Sequence, residues 1–163
     1  MIKKGDTFPG VNLKRIKDGD ALEDFDTAAA LKGKKVVIFG VPGAFTPVCH
    51  KRHLPGYVEM ADAIHDKGAD EIICLSVNDP YVMEQWGQAV DRDHKVMLWA
   101  DGNAELTRAL DLALEQADKG LGLRCKRFMM IVDDGVVTHI DVESEPGKLD
   151  VASAETCLVQ LAA

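Results

Sequence analysis

One cysteine in this chain is placed for chemistry. Cys49 ends the run Gly40-Val41-Pro42-Gly43-Ala44-Phe45-Thr46-Pro47-Val48-Cys49, just after the apolar stretch Val36-Val37-Ile38-Phe39 and just before a helix-like stretch. A buried strand therefore hands over to a helix at this thiol. A sulfur there meets the positive end of a helix dipole and free backbone N–H groups. Both favour the thiolate, the reactive form of cysteine. Pro47 suits the first helical turn because it needs no N–H donor there. Thr46 is then the cap, with a hydroxyl able to point back toward the sulfur. A hydroxyl both donates and accepts, so Thr46 can donate to the sulfur or accept from a protonated substrate oxygen. Pro42 shields the loop and removes an N–H that would need a partner. A basic residue would complete the site by stabilising the thiolate and transition-state charge. The candidates are Arg124 and Arg127, which flank a strand start in Gly120-Leu121-Gly122-Leu123-Arg124-Cys125-Lys126-Arg127-Phe128.

The elements that must position these residues alternate between strand and helix. Lys35 to Val41 reads as a buried strand, β-branched and bounded by Gly and Pro. Lys51 to Lys67 reads as a helix with Leu54, Val58, Ala61 and Ile64 on one face, ended by Gly68. Glu71 to Val77 is a second buried strand. Asp79-Pro80 supplies a cap and a first helical position for a helix to about Val90. Lys95 to Ala100 is a third strand, and a helix runs from about Asn103 through Leu112. Arg127 to Val132 and Val136 to Val142 form a hairpin across Asp133-Asp134-Gly135. Ser153 caps a last helix, Ala154 to Leu161. Short connections between strands and helices imply right-handed crossovers and parallel strands. The late hairpin adds antiparallel ones. The pattern fits an α/β fold with a mixed central sheet flanked by helices, compatible with a thioredoxin-type sheet.

Composition sets the outer limits. A chain of 163 residues suits one domain, residues 1–163, and buries roughly 70% of its unfolded surface. With 47% hydrophobic residues it is expected to be globular. The net charge of −8 argues against nucleic acid. Lys32, Lys34 and Lys35 read as a solvated loop before a strand. The longest apolar runs fall far short of the ~20 residues that span a bilayer. Met1-Ile2-Lys3-Lys4-Gly5-Asp6 has no following apolar region, so no secretory signal is expected. Cys49, Cys74, Cys125 and Cys157 form no CxxC pair and no zinc-ribbon spacing. A cytoplasmic protein with free thiols is the expectation.

Three blocks of the chain carry a family resemblance. Pro42, Thr46 and Cys49 match P-x-x-x-T-x-x-C, within VPGAFTPVCHKRHLPGYVE from Val41 to Glu59. CLSVNDPYVMEQW (Cys74 to Trp86) and KRFMMIVDDGVV (Lys126 to Val137) are the other two. The chain resembles the peroxiredoxins, specifically the type-5 or type-II subgroup that includes atypical two-cysteine and glutaredoxin-linked members. The resemblance runs from near Lys4 almost to the C-terminus. It implies a thioredoxin fold with peroxiredoxin additions and a thiol peroxidase that reduces hydrogen peroxide and alkyl hydroperoxides without metal, haem or flavin. Cys49 then aligns with the peroxidatic cysteine, which becomes a sulfenic acid. Thr46 aligns with the hydroxyl that orients the peroxide, Pro42 with the shielding proline, and Arg127 with the arginine that holds thiolate and peroxide oxygens. Arg124 is left a supporting role at most. A homodimer is expected, with contacts around Pro80 to Trp86 and the active site.

The remaining residues carry blander readings beside sharper ones. Cys74, in Ile72-Ile73-Cys74-Leu75, reads as core, although some plant members of the subgroup carry a second redox cysteine in this block. Cys125, near a strand start, and Cys157, on the last helix, read as structural. The animal type-5 enzymes place a resolving cysteine in the loop before the last helix, and Glu145 to Ser153 contains none. Recycling by glutathione with glutaredoxin is therefore the first expectation and thioredoxin the second. His50 and His53 beside Cys49 could suggest a metal, but three ligands in one turn cannot all face one ion. His50 either tunes Cys49 modestly or faces solvent. Trp86 and Trp99 read as core. Two rival functions are a redox sensor or holdase on the same fold and a disulfide reductase. The missing CxxC argues against the latter.

Overall fold

The computed structural model describes residues 1–163. Strands β1 (Asn12–Ile16) and β2 (Leu22–Asp26) open it as an antiparallel hairpin, followed by helix α1 (Thr27–Leu31). Then come β3 (Lys35–Val41), a π-helical turn (Cys49–His53), α2 (Leu54–Glu59), α3 (Ala61–Asp66) and β4 (Glu71–Ser76). Next are α4 (Pro80–Val90), β5 (Met97–Ala100), α5 (Glu105–Ala109), β6 (Ala113–Gln116) and β7 (Gly122–Cys125). The chain closes with β8 (Phe128–Asp133), β9 (Val136–Val142) and α6 (Ala154–Ala162).

Seven strands form one mixed sheet in the order β2-β1-β5-β4-β3-β8-β9, and β6-β7 is a separate ribbon. β3, β4 and β5 are parallel, and β8 returns antiparallel to β3. This is the expected thioredoxin-like α/β sheet. β3 sits centrally because both its faces are apolar. Val37 and Phe39 face one core with Tyr57, Trp86 and Cys157, while Val36 and Ile38 face the other with Phe8, Trp99 and Leu110. That period-2 division is the strand's own geometry. A side chain at Gly40 would place its Cβ 2.2 Å from the Phe128 ring. Glycine there lets β3 and β8 close just before the Cys49 loop.

Several expected boundaries shift, each for a local reason. The single helix Lys51 to Lys67 is in fact a π turn followed by α2 and α3. Pro55 has no N–H for the carbonyl of Lys51. The Leu54 N–H bonds instead to the Cys49 carbonyl, one residue further than in an α-helix. α2 and α3 then meet at Met60, whose backbone leaves the helical region (φ −96°, ψ 7°). The Lys95 to Ala100 strand starts only at Met97, because the Asp91 carboxylate takes the N–H groups of Lys95 and Val96. The helix from Asn103 to Leu112 shrinks to Glu105–Ala109. Asp101 caps it by accepting from Leu106 and Thr107, and Ala104 and Asp111 adopt left-handed backbone at its ends. The hairpin turn is Asp134-Gly135, both at positive φ, so β8 starts and ends one residue later than expected, leaving Arg127 just before it. Cys125 ends β7 and, as expected, stands close to a strand start, that of β8 at Phe128.

Candidate active site

Cys49 lies at the end of the loop leaving β3. Pro47 and Val48 are already helical, and the Thr46 carbonyl accepts the His50 N–H at 2.8 Å. Thr46 is thus the cap through its backbone. Its hydroxyl, however, donates to the Gly43 carbonyl at 2.6 Å and makes no bond to the sulfur, contrary to one of the two roles expected for it. With its proton committed to Gly43, the oxygen keeps lone pairs that can accept. The loop is braced from below. The Ala44 N–H donates to Asn78 Oδ1, which also takes the Ser76 hydroxyl. Arg124 donates to the carbonyls of Leu121, Pro42 and Val77, so it fastens the loop without reaching the sulfur. A Cβ at Gly43 would stand 2.7 Å from Arg124 Nη1, so a side chain there would displace the guanidinium from the loop.

Arg127 makes the decisive contact. Its Nη2 donates to Cys49 Sγ at 3.2 Å, and both side chains are almost wholly buried, at 2% and 1% exposure. The same guanidinium donates from Nε and Nη2 to the Pro146 carbonyl at 3.2 and 3.0 Å. Its Nη1 lies 2.8 Å from His53 Nδ1. It forms no salt bridge with any carboxylate. A buried cation held only by neutral acceptors keeps its charge available to a neighbouring anion.

The sequence gives His53 no role beyond a metal site that its spacing argues against. The structure makes it part of the site. Arginine cannot accept, so His53 Nδ1 must receive the Arg127 proton. Nε2 meets the Ala152 carbonyl at 2.8 Å, so Nε2 carries the imidazole hydrogen. Burial, and then the Arg127 charge, lower its pKa to about 3 and keep it neutral. Phe39 packs against its ring, and Tyr57, stacked on Phe39, donates to the same Ala152 carbonyl at 2.9 Å. Glu143 also lay outside the sequence reading. Its carboxylate accepts from the N–H groups of Asp150 and Ala152. These contacts join residues far apart in the chain, and two of the acceptors are backbone carbonyls. Only the small spacing between Cys49 and His53 could have pointed to one of them.

His50 takes the Trp86 indole proton on Nδ1 at 3.1 Å and stacks under Phe45. Phe45 is half exposed and sits at φ 63°. The other three thiols are fully buried. Burial pushes Cys74 well above the ordinary thiol value and Cys125 and Cys157 up to about 12.

A buried thiol bonded to an arginine that has no carboxylate partner, at the start of a helix on this sheet, agrees with what comparison shows. The Redoxin family model matches residues 3–158. The chain is 44% identical over 160 residues to Peroxiredoxin-2B of Arabidopsis thaliana, covering 98% of each. A crystal structure of reduced Prx3 from Vibrio vulnificus in complex with hydrogen peroxide superposes with TM-score 0.92 at 43% identity, covering 99% of this chain and 96% of that one. Peroxiredoxin 5 from Alvinella pompejana gives TM-score 0.86 at 31% identity, covering 99% and 98%. The chain belongs to the peroxiredoxins and is a thiol-dependent peroxidase that reduces hydroperoxides at the expense of a thiol.

Proposed function

We propose that Cys49 is the nucleophile of this peroxidase and that Thr46, Arg127 and Pro42 complete its site. The observation that carries this is the 3.2 Å contact from Arg127 to the Cys49 sulfur, made by a guanidinium with no carboxylate partner. The thiolate sulfur attacks the terminal peroxide oxygen and the O–O bond breaks. Its electron pair leaves on the other oxygen, which takes a proton and departs as water or alcohol. The sulfur, oxidised by two electrons, is left as a sulfenic acid. Arg127 stabilises charge moving onto the leaving oxygen. The Thr46 oxygen, its own proton held by Gly43, accepts the peroxide hydrogen. Pro42 walls the loop. No step calls for a metal, haem or flavin.

The finer placement is the type-5 or type-II subgroup, supported by the VPGAFTPVCHKRHLPGYVE block and by the plant and Alvinella relatives. A second thiol returns Cys49 to the reduced state. We favour glutathione with glutaredoxin over thioredoxin, because the remaining cysteines are buried and protonated at neutral pH. Glutathione sulfur attacks the sulfenic sulfur, water leaves, and the mixed disulfide is opened by a further thiol. Four unpaired thiols suit the reducing cytoplasm. The single sheet shared by both cores supports one domain over residues 1–163. Half-exposed Phe45, on the Cys49 loop, and half-exposed Tyr81, in the first turn of α4, support a homodimer contact around Pro80 to Trp86 and the active site. Sedimentation showing only monomer at micromolar concentration would contradict it.

The test of the central reading is Cys49→Ser. A folded Cys49→Ser protein should consume no peroxide with excess thiol, because serine is a far poorer nucleophile at neutral pH. Wild type should turn over many times per chain, whereas a sensor would stop after one. Retained turnover in the variant would overturn the assignment.

A further inference from the structure

We propose that Glu143 is a positioning residue for the Cys49 site, acting through the segment 146–152 and not through its own charge. The inference rests on the reading of Arg127 as the group that holds the Cys49 sulfur. Glu143 follows directly on β9, and its N–H donates to the Arg127 carbonyl at 2.9 Å. The two residues therefore face each other across the end of the β8–β9 pair. Glu143 is nearly buried, at 8% exposure, and lines the same small cavity as Arg127. Yet the two make no salt bridge. The Glu143 carboxylate turns the other way. Its Oε1 accepts from Asp150 N–H at 2.6 Å and Ala152 N–H at 2.9 Å.

Those two bonds share one acceptor oxygen on a nearly buried side chain, where shelter from water strengthens them. They fold the segment after β9 back on itself, with the carbonyls of Pro146 and Ala152 turned inward. Both carbonyls serve the site. Pro146 receives two N–H groups of Arg127. Ala152 receives the Nε2–H of His53 and the Tyr57 hydroxyl. Apart from the sulfur, each acceptor of the guanidinium thus depends on this segment, Pro146 directly and His53 through its tautomer. Were Ala152 to move away, the Nε2–H would lose its buried acceptor, and only the Arg127 donor would keep the hydrogen off Nδ1. A hydrogen on Nδ1 would then face the Arg127 donor, and the two donors would push the guanidinium off the sulfur. A displacement of that kind, about 1 Å, can cost about 10²-fold in rate.

The test compares the rate of Cys49 oxidation by hydrogen peroxide in Glu143→Ala, Glu143→Gln and Arg127→Ala, with ¹⁵N NMR of His53 in the reduced proteins. Glutamine keeps a carbonyl oxygen that can accept both N–H groups, so Glu143→Gln should oxidise close to the wild-type rate and keep the Nε2–H tautomer. Glu143→Ala should be slower by about 10-fold or more and lose that tautomer. Should Glu143→Ala fail to fold, Glu143→Asp, too short to reach both N–H groups, is read the same way. A folded Glu143→Ala or Glu143→Asp with wild-type rate and tautomer overturns the proposal. So does Glu143→Gln as slow as Glu143→Ala, which would mean that charge and not geometry matters. If Arg127→Ala itself oxidises at the wild-type rate, the fault lies in the underlying reading of Arg127.

Discussion

Cys49 and Cys74 are both buried thiols in the same apolar core, and they differ in one partner. Cys49 is 1% exposed and receives a proton from Arg127; Cys74 is 0% exposed and receives none. Cys74 stands inside β4, paired with Phe39 of β3 on one side and Leu98 of β5 on the other. Burial without a donor raises its pKa and silences it. Cys49 stands where the strand has ended and the helix has just begun, within reach of a guanidinium. Burial alone makes a thiol inert. On the proposed reading, what sets Cys49 apart is a buried cation that no carboxylate neutralises.

The largest expected effect comes from removing that cation. Arg127→Ala should slow Cys49 oxidation by about 10²–10³-fold, the usual cost of one preorganised donor. Arg124→Ala should do less, since Arg124 touches only the carbonyls of the loop. Stopped-flow oxidation of the two variants measures the difference. A more damaging Arg124→Ala would reverse the assignment of the arginines.

A smaller effect is expected at the silent thiols. Cys74→Ser and Cys157→Ser should leave glutathione-dependent turnover near the wild-type rate. Disulfide mapping after oxidation without added thiol should show no dominant bridge from Cys49 to either. A dominant Cys49–Cys74 or Cys49–Cys157 bridge, with turnover lost in the matching variant, would replace the one-cysteine cycle by a two-cysteine one.

The remaining effect is on stability. His53 falls from 6.5 to about 3 on folding, through burial and then the Arg127 charge. Between those values the unfolded chain binds more protons than the folded one. Stability is therefore retained above pH 6.5 and lost as the pH falls toward 3, with a slope from this group of at most about 1.4 kcal/mol per pH unit. Urea unfolding of wild type and His53→Gln should diverge in slope over that window. Parallel curves would show that His53 is not held neutral in the fold.

Much of this arrangement is legible in the chain because it is written in local signals. The β-branched run of β3, the Asp79-Pro80 and Ser153 caps and the Asp134-Gly135 turn each announce an element. Cys49, Thr46 and Pro42 sit within one such junction, and Arg127 immediately precedes the apolar run of β8. The hairpin β1–β2 is less legible. Its strands are mostly exposed and carry cross-strand pairs such as Arg15 with Glu23 in place of an apolar pattern. The π turn follows from Pro55, but periodicity alone cannot separate it from an α-helix. The support of Arg127 is the least legible part. His53 lies 74 residues from Arg127 in sequence, and the acceptors at Pro146 and Ala152 are backbone atoms that no side chain announces.

The most direct test of the difference between the two thiols is to treat the reduced protein with one equivalent of hydrogen peroxide, trap sulfenic acid with a dione reagent, and locate the label among the four cysteines by mass spectrometry. The label should fall on Cys49 alone, and in Arg127→Ala it should appear there far more slowly. Label on Cys74 or Cys157, or labelling of Cys49 at an unchanged rate without Arg127, would contradict the account.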